Sequence, residues 1–382
     1  MNPLKSLLTL PFLVATLLAQ APLIDRQLFF GDPEISGSQI SPDGKFIAFL
    51  KPYQGTRNVW VKPTSGSFSA AHVITADTKR PILGYFWSRD SKYILFAQDK
   101  LGDENYNVYA VDPAARPAAG ADVPEARNLT DVKGARALIY SVPKDDPDTI
   151  YIGLNDRDKA WHDLYKLKIS TGKRTLMSKN TDRIASWIFD EKGQLRLAVR
   201  SADNGDTEIL RVDKDAFKKI YSCDVFETCG PVRFHKDGKR FYMETNKGAD
   251  VNLVRLELMD PETTKEEVVE SDPQSRVDFG GTLFSDLTGD LLGTAYNDDR
   301  VRRYWKDKTY AADYAWLEKQ LPGKEPRFTT HTRDEMTWLV SASSDREPGE
   351  VYLFDRKAKK LTLEYRLFEK LPRENLAHMK TV

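Results

Sequence analysis

The sequence predicts an all-β protein: a seven-bladed β-propeller with one short helical insert between the sixth and seventh blades. Three observations carry that prediction. A short polar turn text recurs seven times along the 382 residues, and its copies are spaced 45 to 55 residues apart. Each copy opens onto short apolar runs with period-two alternation, the mark of strands joined by hairpins. A unit of this length holds three or four antiparallel strands and buries both of its faces only by standing between two neighbours, so the units must close into a ring.

The copies run in order along the chain. Ser41-Pro42-Asp43-Gly44-Lys45 leads into Phe46-Ile47-Ala48-Phe49, and Ser88-Arg89-Asp90-Ser91-Lys92 leads into Tyr93-Ile94-Leu95-Phe96. Pro143-Lys144-Asp145 precedes Ile150-Tyr151-Ile152, Asp190-Glu191-Lys192-Gly193 precedes Leu195-Arg196-Leu197, and His235-Lys236-Asp237-Gly238-Lys239 precedes Phe241-Tyr242-Met243. The sixth and seventh copies are weaker: Asp286-Leu287-Thr288-Gly289 before Leu291-Leu292, and Thr332-Arg333-Asp334-Glu335 before Trp338-Leu339-Val340. Most copies carry a second strand, such as Asn107-Val108-Tyr109-Ala110-Val111 or Glu350-Val351-Tyr352-Leu353-Phe354, and some a shorter third, such as Arg174-Thr175-Leu176-Met177. From Tyr304 to Gly323 the text changes: Tyr310, Tyr314, Leu317 and Leu321 fall on one helical face until Pro322-Gly323 stops it. Those tyrosines are expected to pack on the propeller.

Charge names no partner. The 57 Lys+Arg balance 57 Asp+Glu, interleaved throughout, and this disfavours nucleic acid. The N-terminus has a charged start, an apolar run from Leu7 to Ala19 interrupted by Pro11, and a small-residue exit at Ala19 and Ala21. The run is shorter than a bilayer span, so residues 1–21 are expected to be a removed signal peptide rather than a permanent membrane anchor, giving a secreted or periplasmic protein. Cys223 and Cys229, the only two cysteines, stand with five residues between them before Gly230-Pro231. In an oxidising compartment they would close a small loop; otherwise they are two small buried hydrophobes.

Catalytic texts are absent. There is no Gly-x-Ser-x-Gly, no phosphate-cradling glycine loop, and the five histidines are scattered. His235 sits in the repeated turn, and Asp103-x-Asn105-x-Asn107 lacks the glycine and closing glutamate of a calcium loop. No catalytic, cofactor-binding or metal residue is therefore assigned, and no cofactor is expected. One charged group, Asp298, Asp299, Arg302, Arg303 and Tyr304, would ordinarily be a solvent face; pointing into a cavity, it would meet the termini of a peptide.

Taken together, the leader, the Ser41-Pro42-Asp43-Gly44-Lys45 openings, the Phe234 to Lys239 copy, the Tyr304 to Gly323 insert and the ending Leu371-Pro372-Arg373-Glu374-Asn375-Leu376 resemble the N-terminal propeller of the prolyl oligopeptidase family. The dipeptidyl-peptidase and acylaminoacyl-peptidase branch is nearest in style. In that family the propeller caps an α/β-hydrolase domain that comes after it in the chain and carries a Ser-Asp-His triad. The resemblance implies a propeller over residues 22–370 and a linker over 371–382 toward a hydrolase domain absent from this text. It implies a non-catalytic propeller of a secreted serine peptidase that gates and binds peptides, with peptides or a hydrolase domain covering one face. The alternative is a freestanding periplasmic or extracellular propeller acting as a protein-interaction scaffold.

Overall fold

A computed structural model describes residues 23–381 except 215, 250 and 251. The expected signal peptide lies outside the described residues. Those described form a ring of seven sheets, each made of strands consecutive in the chain.

The first blade comprises Ser36–Ile40, Phe46–Tyr53, Thr56–Pro63 and His72–Val73, and the seventh comprises Glu325–His331, Thr337–Ser344, Glu347–Asp355 and Lys360–Arg366. The sixth has three strands, Phe279–Phe284, Leu291–Asn297 and Val301–Trp305, and the helix Lys308–Gln320 comes where the others have an outer strand. The helix therefore sits between the sixth and seventh blades as expected, but its start differs. Arg302 to Trp305 pair with Tyr296 to Gly293 as a strand, and the helix begins only after Asp307, whose carboxylate accepts from the amides of Thr309 and Tyr310. That cap satisfies amides that open the helix, a local signal that the tyrosine spacing masks. Tyr310 and Tyr314 are buried, as the spacing predicts.

The turn text has a physical basis. Ser41 Oγ donates to Asp43 Oδ1 at 2.7 Å and accepts from the Phe46 amide at 3.0 Å, while Asp43 Oδ1 accepts from the Lys45 amide. Gly44 takes φ 75°, a left-handed conformation a side chain would strain, although Ser91 and Glu335 bear it in their copies. Side chain, turn and first paired residue thus lock in one short unit.

Seven apolar clusters lie between consecutive blades and close the ring. Within one strand, Ile94 and Phe96 face the first blade with Val59 and Val61, whereas Leu95 faces the third with Ile150 and Ile152. The inner strands of a blade are buried on both faces, so Phe46–Tyr53 and Thr149–Leu154 read as nearly continuous apolar runs and not as the period-two alternation expected, while outer strands such as Arg174–Ser178 are exposed. The same division sets Leu339 against Ile40 and Ile47 while Trp338 and Val340 pack under the helix. No strand is shared across the junction of the seventh and first blades among the described residues. It is held by the buried Ile40, Ile47, Leu339, Val351 and Tyr365, by Tyr365 Oη donating to Ser38 Oγ at 2.9 Å, by Lys62 paired with Glu364 at 2.9 Å, and between the turns by the Arg333 amide donating to the Pro42 carbonyl at 2.7 Å.

Strand direction alternates through each blade. The recurring turns therefore gather at one end of the axial channel, and the chain enters at Ser36 and leaves at Arg366 on the opposite end.

Candidate functional site: the axial channel

The innermost strand of each blade lines the channel. A cavity of about 670 Å³ at the turn end is walled by Ile40, Phe86, Trp87, Val142 and Leu287, with Arg89, Lys144, Asp286, His331 and Arg333 among its polar lining. A second, of about 770 Å³, shares Phe86, Arg89, Val142, Lys144 and Asp286 and adds Glu191 and Arg233. The shared residues make the two adjoining parts of one space.

Its charged groups come from turns far apart in sequence. Arg89 of the second blade donates from Nη1 to Asp286 of the sixth at 2.9 Å, bridging the channel. Lys144 of the third blade bonds Glu191 of the fourth at 2.8 Å and stands 3.9 Å from Asp286. Arg233 of the fifth blade bonds Glu191, and its guanidinium lies over the Phe284 ring. Arg333 of the seventh donates to the Arg89 carbonyl at 2.7 Å, while its own amide bonds the Pro42 carbonyl. Burial alone would raise the Asp286 carboxyl, but Arg89, Lys144 and His331 outweigh it and hold the group below its ordinary range. Glu191 is lowered against burial by Lys144 and Arg233 in the same way.

Asp286 is also placed by its backbone. Glu335, in the seventh blade's turn, accepts from the amides of Asp286 at 2.6 Å and Leu287 at 3.2 Å, from Ser285 Oγ, and from Tyr310 Oη at 2.8 Å. A buried carboxylate thus ties the inserted helix, the sixth turn and the seventh turn together at the channel mouth.

The charged group singled out in the sequence does not line the axial cavity. Its strand Val301–Trp305 is third from the axis, and the alternation of that strand divides it. Arg302 pairs with Asp272 through two bonds of 2.7 and 2.8 Å, reaches Asp298 at 3.2 Å and donates to Tyr304 Oη at 3.0 Å. Arg303 points the other way, to Tyr314 Oη and Glu325 at 2.8 Å each, and Asp299 is exposed. Both guanidinia are spent on structural partners. Arg89, Lys144 and Glu191 stand in the sequence only as turn text; the signal available is that these variable turn positions carry charge in successive copies.

Cys223 and Cys229 are joined by a disulfide, with Cα atoms 6.1 Å apart, linking the fourth blade's last strand to the fifth blade's first. Their loop presents Phe226, 88% exposed, on the end of the ring where the chain enters and leaves. His235 is a turn residue, its Nδ1 accepting from the Asp237 amide at 3.2 Å. Asp103 accepts from the amides of Lys100 and Asn105 within its own loop.

No family model matches the chain. It is 35% identical over 361 residues to dipeptidyl aminopeptidase BIII of Pseudoxanthomonas mexicana, covering 93% of this chain and 50% of that protein. It is 29% identical over 374 residues to dipeptidyl peptidase family member 6 of Caenorhabditis elegans, covering 94% and 49%. The chain therefore spans about half the length of the curated relatives it matches. Among solved structures, prolyl oligopeptidase B from Galerina marginata superposes with a TM-score of 0.59 at 12% identity, covering 90% of this chain and 52% of that one. A puromycin hydrolase superposes with a TM-score of 0.54 at 14% identity, covering 90% and 55%. Those two likenesses establish the fold.

Proposed function

From the premise that this chain is a β-propeller of the prolyl oligopeptidase family, we propose that it screens and binds peptides for a peptidase domain seated on one end of its ring. Its relatives bear the names of dipeptidyl peptidases and are about twice its matched length. The observation that carries the reading is the position of the two described chain ends. Both leave on the end opposite the recurring turns, and Lys370 stands 3.5 Å from Glu34 there. A domain continuous with the chain would be delivered to that end, and the axial channel would open toward it. An axial channel open at that end would admit short or unfolded peptides and turn away folded ones. We further propose that the leader sends the chain out of the cytoplasm, to a compartment in which Cys223 and Cys229 stay bonded.

The coding sequence past the Val382 codon tests the reading. An open frame with a Gly-x-Ser-x-Gly elbow supports it. A stop codon there, together with a purified chain that binds folded proteins but no peptide, would favour the freestanding scaffold instead. Assay of the purified chain on dipeptidyl chromogenic substrates is the complementary measurement; turnover that a fluorophosphonate abolishes would place catalysis in the propeller itself and overturn the division of labour.

A further inference from the structure

We propose that the turn end of the axial channel is a carboxylate-binding site that selects acidic peptides, with Arg333 and Arg89 as its principal donors. The peptide nature of the ligand rests on the reading above; the preference for an anion rests on the site alone.

Not every cation at this mouth is paired with an acid. The chain as a whole has no net charge. Two acids of the lining, Asp90 and Asp190, are engaged by Lys92 and Arg196, which leaves Arg89, Lys144, Arg233 and Arg333 with Asp286 and Glu191. Asp286 and Glu191 serve the first three of these cations. Arg333 has no carboxylate partner among the described residues, and its guanidinium makes one side-chain bond, to a backbone carbonyl. A guanidinium carries five N–H donors arranged to hold a carboxylate through two of them, so most of its capacity is free.

A cavity of about 670 Å³ falls within the range of small-ligand pockets, and Phe86, Trp87 and Leu287 give it apolar walls beside the cations. Apolar walls with a convergent positive edge fit a short peptide that ends in, or contains, a carboxylate. Asp286 already shows the exchange that binding would use. It holds Arg89 across the channel and is itself fixed in place through the bonds from its amide and neighbours to Glu335. An incoming carboxylate would take the free donors of Arg333 and share those of Arg89 without displacing a buried charge. Because Arg89 and Asp286 span the channel, the ligand would rest at this mouth and not thread past it while that bridge holds.

Calorimetric titration of the full chain with paired N-acetylated tetrapeptides tests the site, the pair differing only in a C-terminal carboxylate or amide. The acid form should bind at least about tenfold tighter, and raising the salt concentration should erode the difference. Arg333→Gln should remove the preference, whereas Arg333→Lys should keep part of it. Arg333 is exposed, so both variants are expected to retain the wild-type circular dichroism. Equal affinity for acid and amide, an unchanged preference in Arg333→Gln, or no binding of either form would overturn the inference. The peptidase reading would stand apart from any of these, since the downstream coding sequence decides it.

Discussion

Tyr310 Oη donates to Glu335 Oε2 at 2.8 Å, joining the inserted helix to the turn that opens the seventh blade. Glu335 is 4% exposed, and its remaining bonds go to Ser285, Asp286 and Leu287 of the sixth blade's turn. Removing the carboxylate leaves several buried donors without an acceptor. Glu335→Ala should therefore cost on the order of 3 kcal/mol or more, far above the cost of losing Tyr310 Oη alone, on the order of 1 kcal/mol in Tyr310→Phe. Urea unfolding of the two variants decides it; equal losses would show that the helix contact, and not the turn, carries the stability.

The junction between the last and first blades has no shared strand, so its buried ion pair bears unusual weight. Lys62 is 1% exposed, donates to the Gly66 carbonyl at 2.9 Å and pairs with Glu364 across the seam. Breaking such a pair on one side strands a buried charge, whereas replacing both partners with apolar groups of similar volume is often neutral or better. Glu364→Leu should lower stability by roughly 3 kcal/mol, and adding Lys62→Met should recover most of the loss. Thermal melts of the two single variants and the double variant measure it, and strictly additive losses would count against the seam pair.

Much of this architecture is legible in the text because it is local. Ser41, Asp43 and Gly44 form the turn among themselves, and strands such as Phe241–Thr245 come directly after their own copy of it. The illegible part depends on the ring. The innermost strands, such as Phe279–Phe284 with Gly280 and Gly281, face a channel and carry too little alternation to stand out. The pairing of Arg89 with Asp286 joins residues 197 apart, and only closure of seven blades brings them together. The Val301–Trp305 strand reads as part of the helical stretch because its aromatic residues run on toward Tyr310 and Tyr314, although Tyr304 stands off that helical face and Arg302 and Tyr304 alternate against Arg303 and Trp305. Composition does not separate a charge spent on a structural partner, such as Arg302, from one with donors to spare, such as Arg333.

Asp272 gives the acid limb of stability a specific origin. Arg302 foremost holds its carboxyl well below the ordinary 3.8, against the upward push of burial, with the amides of Arg276, Gln274 and Val277 adding to the effect. A group depressed in the folded state contributes stability that is fully present above its unfolded value and is lost as the pH falls through the folded one. Asp272→Asn should therefore be less stable than the wild type at neutral pH. Below pH 3.8 the gap between the two should narrow. Urea midpoints measured across that range check the sign, and curves that run parallel would assign the acid sensitivity to other carboxylates.

The loop closed by Cys223 and Cys229 should stabilise the ring by an amount its small size limits. Cross-linking positions with a separation of 6 removes about 2 kcal/mol of chain entropy from the unfolded state, less than a long loop would. The bridge also joins two blades, so its loss should loosen the fourth-to-fifth junction, where Ile220 packs on Phe234 and Met243, ahead of the others. Alkylation of the unreduced protein and then mass spectrometry should find no reactive thiol. The Cys223→Ala, Cys229→Ala variant should melt lower and gain amide exchange first along Ala216–Cys223 and Cys229–Phe234, the strands the bridge connects. Two alkylated thiols in protein recovered from an oxidising compartment would show that the pair is only packed, and exchange raised evenly across all seven blades would show that the bridge acts on the unfolded chain alone.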